Sequence, residues 1–428
     1  MTGRLTFSSG FSHHRLCACD MLRLHLLRSP SVLKHMLKIK MYPAKNGDAF
    51  LINANSTHIL VDAGYASTFN TYIAPDLALI SQSGGHIDLM VATHIDADHI
   101  GGVIEFVSLN GPPQSRDIIE VKDVWHNSLR SLPLQACGPN SERDRSLLES
   151  IQRRGFPIDS SPGANPIGAK QGASLARLLR EKGYLWNAGD GTDCVTIAPS
   201  CRSLPNRVEI RVIGPTLARL EVLRRWWIKE LRRLGYKGNP ATDYLIDDAY
   251  EILCASAPEP MAPSVLPIAT HHACRLKEAY VADMSPTNGS SIAFILYVGE
   301  TSALFLGDAR AEDMVAALKQ VAMEGASLQF DAIKVSHHGS LRSTNVELLS
   351  LIDAPHYFIS SDGTHHDHPD FEVLAEIVDR PADFERKLYF SHESLASKRL
   401  QNHVSRSGAR FSVHTAAHDW VNLKEDNK

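Results

Sequence analysis

Within one short stretch, Thr93-His94-Ile95-Asp96-Ala97-Asp98-His99-Ile100-Gly101-Gly102, the chain gathers imidazoles and carboxylates between an apolar run (Leu89-Met90-Val91-Ala92) and a Gly-Gly pair. Imidazole and carboxylate together suit a divalent transition metal. His94 and Asp96 stand two apart, so an extended segment presents them on one side. Asp98 and His99 follow at once, which requires the chain to turn there and offers them to a second ion. The fold must therefore run from a buried strand through a tight turn into a helix, and other strand ends must complete the donor set. The competing explanation is a polar strand-to-helix turn in which Asp98 only caps the helix.

Three more segments are built the same way, with an apolar strand stopping at a metal-capable residue: Val124-Trp125-His126, Phe305-Leu306-Gly307-Asp308 and Lys334-Val335-Ser336-His337-His338. Strand ends are rigid enough to hold ligands to the tolerance a metal demands. Asp308, with two oxygens and no other donor on its strand, suits a bridging position.

Strands alternating with helices predict α/β layers. A hairpin is expected over Lys38 to Ile52, turning at Lys45-Asn46-Gly47-Asp48. Further strands are expected at His58–Val61, Ile87–Thr93, Asp117–Trp125, Val208–Ile213, Ser291–Val298, Ser302–Leu306 and Ala332–Val335. Helices are expected at 65–84 (with a loop), Gly101–Leu109, Ser174–Lys182 and Leu217–Leu234. On the last, Leu217, Leu220, Leu223, Trp227, Leu231 and Leu234 form an apolar stripe. Arg224, Arg225, Lys229, Arg232 and Arg233 cover much of the rest. A solvated basic face is the expectation there, with a phosphate-contacting surface as the sharper alternative.

Residues 1–35 are basic and histidine-rich without the apolar core of a secretory signal. They are expected to be a non-native or disordered extension, with an organelle presequence as the alternative and the true start at Met36. The seven cysteines are scattered and odd in number, which predicts a reducing, cytoplasmic setting without disulfides. No apolar run is long enough for a membrane span. A net charge of −4 gives no global case for nucleic-acid binding.

Taken in order, these motifs resemble the metallo-β-lactamase superfamily. Within it the chain is similar to the soluble hydrolase domain of ComEC/Rec2-type DNA-uptake channels. The residues that carry the resemblance are Asn46-Gly47-Asp48, Val61-Asp62-Ala63-Gly64, the 94–102 cluster, Asn288-Gly289-Ser290-Ser291, Gly307-Asp308, His337-His338-Gly339-Ser340 and His368-Pro369. The resemblance spans about 38–375. It implies a four-layer αββα sandwich over 36–428 with a large insertion around 130–285, and a site where strand ends of both sheets meet. It also implies a binuclear hydrolase in which two divalent ions share an activated water and Asp308. His94, Asp96 and His126 would serve one ion, and Asp98, His99 and His338 the other. Asp98 would also handle the proton of the attacking water. Zinc is the expected metal. Asp96 stands where commoner members carry His, and this harder donor leaves manganese or iron open.

His126 matches the third ligand position only loosely, so a hydrogen-bonded histidine beside the site stays open. Adjacent histidines leave a strand on opposite sides. Set against the superfamily's Pro-Gly-His-Gly, the register implies His338 as the ligand and His337 beside it or facing substrate. Asp62 is implied beneath the cluster, accepting hydrogen bonds that orient ligands. His368 is implied as proton donor to a leaving group or as a phosphate grip, while His365 and His366 read as a solvated loop. Lys334 and Arg342 flank the His-His pair, either to meet an anionic substrate or as ordinary surface charges. The substrate expected is anionic, a phosphoester with nucleic acid among the possibilities. A lactone or thioester hydrolase, an oxygen-reducing di-iron site and a metal-bound regulatory or binding module are the rivals. Oligomeric state is not readable.

Overall fold

The computed structural model describes residues 36–132, 141–154, 175–233, 237, 275–364 and 368–423. Residues 1–35, and with them the expected extension, lie outside the described residues, as do His365 and His366.

Two sheets carry the fold. The first begins with the expected hairpin, β1 (Leu37–Met41) and β2 (Ala49–Ala54), paired antiparallel, followed by β3 (Thr57–Ala63). β4 (Leu89–Val91) and β5 (Val124–Trp125) then join in parallel. The second sheet opens with the antiparallel strands β6 (Arg202–Leu204), β7 (Val208–Gly214), β8 (Ala293–Val298) and β9 (Thr301–Phe305). It continues in parallel through β10 (Ala332–Lys334), β11 (His356–Ile359), β12 (Arg386–Phe390) and β13 (Phe411–His414). A short β14 (Val421–Asn422) returns to pair with β1. Because β6 and β7 belong to the second sheet, the stretch 130–285 contributes to the sandwich itself.

Period-two alternation explains the layering. On β2, Phe50 and Ile52 face the second sheet, where they join Phe294, Phe305 and Phe358, while Ala49 and Leu51 face helices. Phe50 meets Phe305 and Phe358 edge-on, with ring centres 5.9 and 6.2 Å apart. Such pairs add about 0.5–1.5 kcal/mol beyond their area burial. A second core lies between the first sheet and helices that include Ala97–Asn110, built from Leu60, Met90, Ile100, Val103 and Phe106. The third packs Ala311–Met323 and Phe371–Asp379 onto the other sheet through Leu304, Ile333, Leu318 and Leu374. The result is the expected αββα order. Both faces of each sheet are covered, which is why the strands read as near-continuous apolar runs.

Strand bounds differ at informative places. Of Asp117–Trp125 only Val124–Trp125 pairs as a strand, apart from a bridge between Ile87 and Val121. The helix expected from Gly101 starts at Ala97, so Asp98 and His99 sit in its first turn. Among the described residues, Cys194 and Cys201 are free thiols, and no helix is long and apolar enough to cross a membrane.

Candidate metal centre

Parallel pairing puts the C-terminal ends of β3, β4 and β5 side by side, and those of β9, β10 and β11 likewise. The two edges meet where Ile292 N donates to Thr93 O at 2.8 Å. On the first edge, Asp62 is the last residue but one of β3, and its φ of +51° turns its carboxylate under the cluster. Asp62 accepts from Thr93 N at 2.7 Å, Thr93 Oγ1 at 2.7 Å and His99 Nδ1 at 2.8 Å. That last bond fixes the His99 ring and leaves its Nε2 outward. β4 delivers His94, whose Nδ1 lies 3.1 Å from both Thr93 Oγ1 and Ser291 Oγ. Asp96, still extended, precedes the helix, and its Oδ2 accepts from Thr287 Oγ1 at 3.0 Å. Asp98 Oδ2 accepts from Asn46 Nδ2 at 3.1 Å.

The second edge brings in Asp308, after Gly307 (φ +52°), and the turn Ser336–Gly339. Asp308 Oδ2 is the meeting point. It lies 3.8 Å from His94 Nε2, 3.4 Å from His99 Nε2, 3.5 Å from His338 Nε2 and 3.9 Å from His337 Nε2. His338 Nε2 also lies 3.6 Å from Asp98 Oδ2, and His94 Nε2 lies 3.4 Å from Asp96 Oδ2. His94 Nε2 and His99 Nε2 are buried without a hydrogen-bond partner. Buried polar atoms are normally satisfied. Imidazole nitrogens left bare and aimed at carboxylate oxygens are what a divalent cation completes, so the donor set fits the metal expected of it.

The electrostatics agree. Burial raises Asp98 above the ordinary carboxylate range. For His99 and His338, burial opposes the charged form, but Asp308 with Asp62 or Asp48 outweighs it. Both rings are held above the usual imidazole range, His338 at about 10. His337 goes the other way, lowered by burial to about 4. Asp308 is itself held low because His99 and His338 overcome its own burial. The site is a sink for positive charge.

The two histidines of the His-His pair are not on a strand, so the alternation argument does not apply to them. β10 ends at Lys334, and His337 and His338 take consecutive left-handed conformations (φ +46° and +54°) that turn both rings toward Asp308. Two such non-glycine residues in a row are uncommon and cluster at functional sites.

His126 is buried at the end of β5. Its described contacts run to the 186–187 segment: its ring stacks on Trp186 at 5.8 Å, and its backbone N–H donates to Asn187 Oδ1 at 3.0 Å. His368 sits outside the cluster with its ring 5.2 Å from that of His337 and its Nδ1 3.2 Å from Asp370 Oδ2. Lys334 is no surface charge. It is buried, donates to Gly307 O at 2.9 Å, pairs with Asp48 and lies 3.6 Å from Asp308 Oδ1. Asp48 was legible only as part of a turn, yet Asp48, His99, Asp308 and His338 each bring a donor atom within 4.8 Å of the others. The basic face of Leu217–Arg233 is partly neutralised: Arg224 pairs with Glu221 of the same helix, and the neighbouring Arg219 pairs with Asp313 of the helix Ala311–Met323. This favours the solvated reading of that helix.

A sequence model of the metallo-beta-lactamase superfamily matches residues 42–160. The two-sheet sandwich agrees with it. The match covers Asp48, Asp62, the 94–102 cluster and His126, and stops short of Asp308 and His338. The structure of the metallo-beta-lactamase fold protein YhfI from Bacillus subtilis is similar at 9% identity and a TM-score of 0.36, covering 91% of this chain and 100% of that one. CmlA, a diiron beta-hydroxylase from Streptomyces venezuelae, is similar at 12% identity and the same TM-score of 0.36, covering 91% of this chain and 54% of that one. The chain thus spans about half of CmlA, and likeness at this level carries no argument about activity. Among curated proteins none matches.

Proposed function

We propose that this protein is a binuclear metal-dependent hydrolase that cleaves phosphoesters. The observation that carries the reading is Asp308 Oδ2, faced by the Nε2 atoms of four histidines from two sheets. His94 and Asp96 would hold one ion, Asp98, His99 and His338 the other, and Asp308 would serve both. His337 is placed to join either. The contacts of His126 with Trp186 and Asn187 support a positioning part for it over a ligand's. When bound, the two ions would supply Lewis acidity for developing negative charge and lower the pKa of a bound water.

The chain's own residues do the rest. Asp62 holds the His99 ring in the tautomer that exposes Nε2. Asp98, its carboxyl raised by burial, takes the proton of the attacking water. His368, with its Nδ1 3.2 Å from Asp370 Oδ2 and its ring beside that of His337, would donate a proton to a leaving group. The order of motifs shared with ComEC/Rec2-type hydrolase domains supports a phosphoester over a lactone or thioester. Zinc is the proposed metal, with the Asp96 carboxylate the reason to test manganese and iron.

The deciding experiment is elemental analysis of purified protein with a substrate panel: bis(p-nitrophenyl) phosphate, a carboxylic ester, a lactone and a thioester. Two ions per chain and phosphodiester turnover that Asp308→Ala abolishes are expected. A fully loaded protein inert to all four classes overturns the reading in favour of a regulatory module.

A further inference from the structure

One oxygen of Asp48 is engaged by Lys334 Nζ, and the other lies 3.3 Å from His338 Nδ1. The nitrogen of His338 that faces Asp98 and Asp308 is the opposite one, Nε2. Lys334 in turn lies 3.6 Å from Asp308 Oδ1, the oxygen turned away from the histidines. Asp48 comes from the first sheet, and Lys334, Asp308 and His338 from the second. All four are buried. Asp48 is fixed from behind, because its backbone N–H donates to Asp98 O at 3.2 Å and its carbonyl accepts from Gly64 N at 2.8 Å. Gly47 packs so closely on the Asp98 carbonyl that a Cβ there would overlap it. The turn cannot move without moving Asp98.

We infer that Asp48 and Lys334 are positioning residues of the metal centre, which is an inference that rests on the metal reading above. The Lys334 ammonium, 3.6 Å from Asp308 Oδ1, attracts that oxygen by its charge and leaves the other, Oδ2, facing the histidines. An ammonium buried that close to cations repels them unless its charge is cancelled. Asp48 cancels it and, with its other oxygen, selects the His338 tautomer that carries its proton on Nδ1. Carboxylates that orient metal-ligating histidines typically matter by about 10- to 100-fold in metal affinity.

The test compares wild type, Asp48→Asn, Lys334→Met and the double variant, with zinc affinity read by competition against a chromogenic chelator. Circular dichroism and thermal melting of the chelator-treated proteins check folding. Asp48→Asn leaves the ammonium uncancelled and is expected to weaken zinc binding by about 10- to 100-fold. The double variant, again charge-balanced, is expected to recover most of that loss. Lys334→Met alone is expected to keep its affinity within a few-fold, to shift the visible spectrum of the cobalt-substituted protein and to lower kcat. Unchanged affinity in Asp48→Asn overturns the inference. So does a double variant that binds as poorly as Asp48→Asn, which is the result a directly ligating Asp48 gives. If Asp48→Asn does not fold, a loss of tenfold or more in Lys334→Met alone overturns it. A wild type that takes up no ion fails before any variant is compared, and that failure belongs to the metal reading.

Discussion

At the scale of single residues, the centre is a set of histidines whose protons and metal ions compete for the same nitrogens. Asp308, Asp48 and Asp62 hold His338 and His99 above the ordinary imidazole range, His338 at about 10. At pH 7 the His338 ring therefore carries a proton that an incoming ion must displace. His337, held near 4, is already neutral and releases none. Zinc binding is expected to release at least one proton per chain at pH 7, read by calorimetry in buffers of different ionisation enthalpy, and to weaken as pH falls. The compact cluster from His94 to His99 was legible in the sequence because few other tasks need those residue types so close together. Asp48 was not, since an Asp after Asn-Gly is also ordinary turn chemistry. Lys334 was hidden because lysines are rarely buried, and only the central place of β10 in its sheet shows this one to be sealed in.

Among elements, the apolar runs marked the strands well and their ends poorly. Asp117–Trp125 carries apolar residues along its length, yet only Val124–Trp125 pairs as a strand and Val121 makes a single bridge to Ile87, because pairing depends on the neighbouring chain rather than on the run itself. The start of the helix at Ala97 was missed for a related reason: Asp98 and His99 looked like turn residues, though an acidic residue in a first turn suits the helix dipole. β12 shows how a strand is anchored away from the site. Arg386 at its start is fully buried, and its Nε and Nη2 donate to Asp353 at 2.9 and 2.5 Å. Burial works against the Asp353 carboxylate, but Arg386 and Arg380 prevail and hold it below its ordinary range. Its contribution is therefore present at neutral pH and lost as pH falls through that lowered value. Asp353→Asn leaves a buried guanidinium uncompensated and is expected to cost about 3 kcal/mol in urea denaturation at pH 7. The penalty should shrink toward pH 3, where wild type has begun to lose the same interaction.

For the whole molecule, the sandwich, the layer order and the convergence of strand ends were readable from the alternation of elements and from motif order. The role of β6 and β7 was not, because a strand that joins a distant sheet leaves no local mark of its partner. Since the donors come from both sheets, bound ions tie the halves together. Ions at about 100-fold above their Kd contribute about 2.7 kcal/mol to stability. Removing them with a chelator is expected to lower Tm by roughly 3 °C; an unchanged Tm would show that the ions hold nothing together. All the chemistry gathers where the parallel strands finish, and their starting ends lie at the opposite rim. There Gly84, ahead of β4, and Gly325, ahead of β10, face open space. Foreign sequence spliced at either place, a fluorophore tag or a tether, would ride at the end of the molecule remote from the reaction, so the protein can be labelled or immobilised with its working edge left clear.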